Sequence, residues 1–266
     1  MSHPPLAIDY WQLAIGLLFI AVAGVASAIH GLGLGRDLLV GTVRTFAQLF
    51  LMGYALAIIF QVQSPWLVVG IFCCMIAFAA WIIRGRVHEP SVHFFFPTLA
   101  SMLISYVLVT GVVTGAVIGA EPWWSPRYFI PIGGMVVGNS MSAIAVSLER
   151  LFSDLRKRRD EVEMMLCLGA DYREASHRIL QDAIKAGMIP SINSMMGVGI
   201  VFIPGMMTGQ ILGGTDPMLA IRYQIVVMLM LVGSTAIGSL IVTLWIRRLS
   251  FDSSHRLLLR HEEGNR

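Results

Sequence analysis

Seven apolar runs, each near the roughly 20 residues that an α-helix needs to cross a bilayer, divide this chain and leave little room for any other kind of fold. They run from Ile8 to Ile29, Leu38 to Phe60, Trp66 to Ile83, Phe94 to Gly119, Tyr128 to Leu148, Met188 to Leu212, and Gln224 to Ile246. Lipid offers no hydrogen-bond partners, so backbone groups in runs of this length must pair within the segment. The expected class is therefore all-α: a polytopic membrane protein of about seven transmembrane helices, forming one transmembrane domain over residues 1–266. Composition agrees, with 56% hydrophobic and 13% charged residues in 266 and a mean hydropathy of +0.73, far from a soluble domain.

Basic residues set the expected orientation. With the amino terminus outside, 16 of the 19 Lys and Arg fall in cytoplasmic segments, and only Arg127 and Arg222 fall outside. Seven spans place the carboxyl-terminal tail, 247–266, in the cytoplasm. The sixth run is interrupted by Pro190 and Pro204, which also permits a re-entrant segment. No Lys or Arg precedes the first run, so that run reads as an anchor rather than a cleaved signal. Cys73, Cys74 and Cys167 are not placed for a disulfide framework. External connections are short and carry Trp66, Trp123 and Trp124 at interfacial positions.

The one long polar segment, about 149–187, reads as a helix-turn-helix. Arg156-Lys157-Arg158-Arg159, then Glu161 and Glu163, precede a Met-Met-Leu-Cys-Leu run, a pattern suited to a helix at a membrane surface. Gly169 ends that helix, and Asp171 followed by Glu174 is a capping-box start for the next. Tyr172, Ala175, Ile179, Ala183 and Gly187 recur at spacings of three and four and predict one buried face. Pro190 marks the end of the second helix or a kink in it.

Polar groups inside the apolar runs are the candidates for a pathway. Arg44 and Gln48 share a helix face; Arg44 either snorkels to the interface or meets a carbonyl or anion in the bundle. Asn139, Asn193 and Ser194 either bridge helices or line a passage. Met195, Met196, Met206 and Met207 bracket a glycine-rich stretch; thioethers pack adaptably and bind soft Cu(I) better than Fe(III). Gln210 follows them in the same segment. Gly205, Gly209 and Gly213 put small residues on one helix face for close packing within the subunit or at a homodimer seam. Pro190, Pro204, Gly205 and Gly209 are the expected hinge or gate. No nucleotide-binding GxxxxGK[ST] loop and no HExxH are present, so ATP binding by that loop, and with it intramembrane zinc hydrolysis, is set aside.

Glu163-Met164-Met165-Leu166-Cys167-Leu168-Gly169-Ala170-Asp171 resembles the EAA cytoplasmic loop of ABC-transporter permeases, with Met164 and Met165 where that pattern has small alanines. Further stretches resemble the FetB family of bacterial iron-export permeases: Ile130-Pro131-Ile132-Gly133-Gly134, Ile189-Pro190-Ser191-Ile192-Asn193, Pro204-Gly205-Met206-Met207-Thr208-Gly209, Asp216-Pro217 and Tyr223-Gln224. Arg44-x3-Gln48-Leu49 extends the likeness over nearly the whole chain. The resemblance implies a bacterial inner-membrane permease, exporting iron or another metal, that binds no cofactor itself. ATP and Mg would sit on a separate ATP-binding subunit, in a complex of two permeases and two ATPases. It further implies that Glu163, Leu166, Leu168, Gly169, Ala170 and Asp171 form the coupling turn, Leu166 and Leu168 filling a pocket and Glu163 pairing with an Arg of the partner. The identity of any metal ligand stays open. So do an organic cargo such as a UDP-sugar and an ATP-independent channel or secondary transporter.

Overall fold

The computed structural model describes residues 9–259 apart from Gln63, His88 and Ser253; Ile8, where the first run begins, and residues 260–266 of the tail lie outside the described residues. Among the described residues ten α-helices follow in order: α1 (Tyr10–Ile29), α2 (Gly35–Val62), α3 (Pro65–Arg86), α4 (Phe95–Val112), α5 (Pro126–Lys157), α6 (Arg159–Cys167), α7 (Tyr172–Ala175), α8 (His177–Gly197), α9 (Gly205–Leu212) and α10 (Pro217–Leu249). A π-helical turn, Val113–Val117, prolongs α4. Among the described residues six helices are long and apolar enough to cross a membrane: α1, α2, α3, α4 with its extension, α5 and α10. The protein is a polytopic, all-α membrane protein.

The sixth apolar run is built differently from the other six. Its first part belongs to α8, which begins in the polar segment at His177 and runs unbroken through Pro190 to Gly197. Its second part is α9, whose eight residues rise only about 12 Å. Between them the chain turns sharply: Gly199 has φ +84°, its N–H donates to the Phe202 carbonyl at 2.9 Å, and Val201 N–H donates to the Gly197 carbonyl at 2.8 Å. Pro204, which has no N–H to give, opens α9. The helix therefore does not end at Pro190; the break falls at 198–204.

The core is the contact of α5, α8 and α10, flanked by α3 and α4. Phe72, Ile76, Tyr106, Phe129, Ile144, Leu148 and Phe152 are fully buried there, and Phe72 meets Phe129 edge to face at 5.2 Å. Lipid supplies no hydrophobic drive between helices, so close packing and hydroxyl bonds must hold them together. Gly187 lets α8 lie directly against Ala143 and Ser147 of α5. Ser140 of α5 bonds Ser234 of α10 at 3.2 Å, and Ser191 of α8 donates to Thr235 of α10 at 3.4 Å. On α4, Thr98, Ser101 and Ser105 return their hydroxyls to carbonyls of their own helix, each at 2.7 Å.

The hairpin of α1 and α2 stands apart. Most of its apolar surface is exposed, which is the surface a lipid solvent covers. Arg44 of α2 reaches α3, its guanidinium 5.4 Å from the Phe78 ring centre.

Candidate functional site: a structured turn and a broken helix

The turn between α6 and α7 is fully specified by its backbone. The Ala170 N–H donates to the Met165 carbonyl and the Gly169 N–H to the Leu166 carbonyl, both at 3.1 Å. That pair of bonds is a Schellman motif, and it requires the left-handed φ of +97° that Gly169 adopts. Asp171 then caps the next helix, accepting from the Arg173 and Glu174 N–H groups at 2.8 Å, while Glu174 Oε2 accepts from the Asp171 N–H at 3.1 Å. The Glu174 N–H, and after it the Arg173 N–H, holds the Asp171 carboxyl below the usual carboxylate range. A depressed acid of this kind stabilises the fold above its unfolded pKa and loses that contribution as pH falls through the folded one. At neutral pH, Asp171→Ala is expected to speed amide exchange in a 171–177 peptide several-fold, read by mass spectrometry, whereas Asp171→Asn, which keeps a capping oxygen, stays near the parent.

The motif leaves Leu168 at the apex, 81% exposed, with Met164 beside it at 59%. Glu163 lies one turn earlier and already accepts from Arg159 Nε at 2.6 Å. On the opposite side the five residues predicted to share a face do so: Tyr172, Ala175, Ile179, Ala183 and Gly187 are all buried.

The carboxyl-terminal tail straps this turn down. The Tyr172 ring packs on Phe251 at 5.7 Å and His255 at 5.3 Å, and the guanidinium of Arg248 lies 4.9 Å from its centre. The Tyr172 N–H donates to His255 Nδ1 at 3.3 Å, and Arg159 donates to the Leu259 carbonyl at 3.0 Å. Leu257 and Leu259 are buried. Sequence reasoning treated this tail only as a basic segment; the Phe-x5-Leu-x-Leu pattern of Phe251, Leu257 and Leu259 was the signal within it.

The second feature is a cavity of about 380 Å³ between the 198–204 break and α10. Met195, Met207 and Met228 line it with Ile203, Ile225 and Gln224. Gln224 is only 5% exposed, and among the described residues no donor reaches its Oε1. Of the residues predicted for a pathway, only Met207 lines this cavity. Met206 packs against the core, and Gln210 is half-buried with its Oε1 also unpartnered. Asn193 and Ser194 are exposed on α8. Asn139 is exposed and donates to the Met135 carbonyl at 3.2 Å. Arg44 and Gln48 lie on α2, exposed and apart from the cavity. Among the described residues nothing outside their own helix turn approaches within 4 Å of where a Cβ would stand on Gly205 or Gly209, so no close packing among those residues uses them. Gln224 and Met228 were missed because α10 reads as a uniform apolar span; the glutamine about two turns past the Asp216 cap was the available sign. Among the described residues no group of three or more His, Cys, Asp or Glu is placed to hold a metal ion.

Comparison with known proteins places these features in a family. The model of the uncharacterised protein family UPF0014 matches residues 10–251. A UPF0014 membrane protein of the cyanobacterium Synechocystis is 34% identical over 97% of this chain and all of its own length. The probable iron export permease FetB of Escherichia coli K12 is 32% identical over 93% of this chain and 94% of its own. The Arabidopsis thaliana protein ALUMINUM SENSITIVE 3 is 32% identical over 86% of this chain and 83% of its own. No solved structure matches. With the family model spanning both the structured turn and the broken helix, the chain belongs to the UPF0014 family of membrane proteins.

Proposed function

We propose that this chain is the membrane-spanning permease subunit of an ATP-driven ABC transporter that exports iron or another metal, coupled to a separate ATP-binding subunit through the turn at 163–171. The observation that carries the reading is Leu168: a large apolar side chain held at the apex of a rigid, doubly capped turn and exposed to 81%. Exposed apolar side chains on stiff turns are anchors for a partner's pocket. Gly169 keeps the apex thin, and Leu166, Ala170 and Asp171 fix its shape. The likeness to a probable iron export permease supports the direction and the class of cargo.

In this reading the amino terminus is outside, the turn and tail are cytoplasmic, and the protein lies in the inner membrane of a bacterium. Two copies pair with two ATPases, with the open glycine face of Gly205 and Gly209 available at the seam. The run split between α8 and α9 counts as a seventh, discontinuous span. Closure of the ATPases on ATP moves the two turns together, and α8 carries that motion into the bundle.

The testing experiment is ATP hydrolysis by the chain co-purified with its ATP-binding partner in lipid nanodiscs, titrated with Fe(II), an Fe(III) chelate, Zn(II) and a UDP-sugar. Stimulation by an iron species is the expected result. Failure of the chain to form a complex with an ATPase encoded beside it overturns the reading in favour of a channel or secondary transporter.

A further inference from the structure

The cavity beside the 198–204 break has the wrong walls and the wrong size for a bare metal ion. Its polar equipment is neutral: one amide and three thioethers. Hard cations require several oxygen ligands, commonly carboxylates, and a charge moved between aliphatic walls loses its hydration without replacement. A volume of about 380 Å³ is instead within the range of small-molecule pockets, which are mostly apolar with a few placed polar groups.

Three independent features point to an organic occupant. Gln224 is only 5% exposed and borders the cavity, and among the described residues no donor reaches its buried Oε1. A buried acceptor left open is unfavourable, so a ligand that supplies an N–H or O–H gains where a purely apolar one does not. Three methionines give a wall that reshapes around differing outlines. Finally, Val198, Gly199 and Ile203 of the irregular segment border the same space, and irregular backbone at membrane depth persists where it faces a cavity rather than lipid.

We infer that this cavity binds an electrically neutral, mostly apolar organic molecule carrying a hydrogen-bond donor for Gln224 Oε1, and that a metal enters it only inside such a molecule, as a neutral chelate. The inference rests on the transport reading for its biological meaning, and it narrows the cargo class. It disfavours a charged, polyhydroxylated cargo such as a UDP-sugar at this place. Gln224 lies eight residues past Asp216, about 12 Å along α10 from that cap and roughly 34 Å from Arg247. The site therefore belongs to the half of the bundle remote from the structured turn.

The test is direct binding of radiolabelled 1-naphthol to the purified full chain in nanodiscs, without ATP or ATPase, with empty nanodiscs subtracted for lipid partition. Competitors are 1-methoxynaphthalene, which has the same outline but no donor; 1-naphthalenesulfonate, which is charged; and Fe(II) alone. The expected result is saturable binding of 1-naphthol with 1-methoxynaphthalene about tenfold weaker, and loss of that discrimination in Gln224→Leu. Met228→Trp, which fills the space, is expected to abolish binding of both. Size-exclusion profiles and thermal stability of each variant report folding separately. Equal binding of the two neutral ligands, discrimination that survives Gln224→Leu, or competition by the sulfonate or by Fe(II) alone overturns the inference. Because nothing in this assay requires an ATPase, a negative result here leaves the coupling reading standing, and a failed ATPase complex leaves the binding result standing.

Discussion

A Gly187→Leu chain is expected to accumulate in the membrane at less than about a tenth of the parent amount, a loss that corresponds to at least about 1.4 kcal/mol and sits within the cost of overpacking a tight contact. The reason is a backbone contact. A Cβ on residue 187 would stand 2.6 Å from the Ala143 carbonyl oxygen, in addition to striking the Ser147 side chain. The serine can rotate away, but the carbonyl is fixed in the hydrogen-bond ladder of α5. The helices α5 and α8 must separate, and α10, which packs on both, loses its seat. Gly138→Leu provides the control: it lies on α5, the helix that Gly187 packs against, yet among the described residues nothing outside its own stretch of helix stands within 4 Å of its Cβ position, so that variant should accumulate normally. Quantitative fluorescence of size-exclusion peaks checks both. Normal yield of Gly187→Leu would mean that α8 does not seat on α5 as described.

The second large effect is expected at the turn. Leu168→Asp should reduce transport-coupled ATP hydrolysis more than tenfold while leaving the chain folded. The side chain is 81% exposed, so its replacement removes no internal packing, but a carboxylate placed in a partner's apolar pocket is unfavourable by several kcal/mol. Gly169→Trp is a less discriminating variant, since φ +97° strains any L side chain whether or not a partner is present. Steady-state ATPase rates of the nanodisc complex, with pull-down of the ATP-binding subunit, make the measurement. Parent-like rates and parent-like capture by Leu168→Asp would remove Leu168 from the interface.

The buried face of the polar segment was legible because helical spacing is a local property: Tyr172, Ala175, Ile179, Ala183 and Gly187 needed only the 3.6-residue repeat to be found. The Schellman turn and the capping box were legible for the same reason, each being a short pattern with one backbone solution. The position of the break was not. Pro190 looks like a helix terminator, but α8 continues through it under tertiary packing, and the chain turns instead where Gly199 and Pro204 act together. Likewise, the hydrophobic count did not separate α9 from a full span, because composition says nothing about where a helix stops. The strap was hidden because its contacts join residues some 80 to 100 positions apart, as between Tyr172 and His255 or Arg159 and Leu259. Gln224 was visible as a residue but not as an open acceptor, a condition defined by the absence of neighbours that only the folded chain reveals.

The strap has a mechanical consequence. The turn is the near end of α8, and through Tyr172 it is also clamped to the end of α10. From His177 to Met195 along α8 is about 27 Å, and from Arg247 back to Met228 along α10 is about 29 Å. Two stiff rods of nearly equal length thus leave one anchorage and arrive side by side at the two walls of the same cavity. A tilt imposed at the turn reaches both walls at once, so the natural motion at the far end is a scissoring that changes the gap between Met195 and Met228 rather than a sliding of one wall past a stationary other.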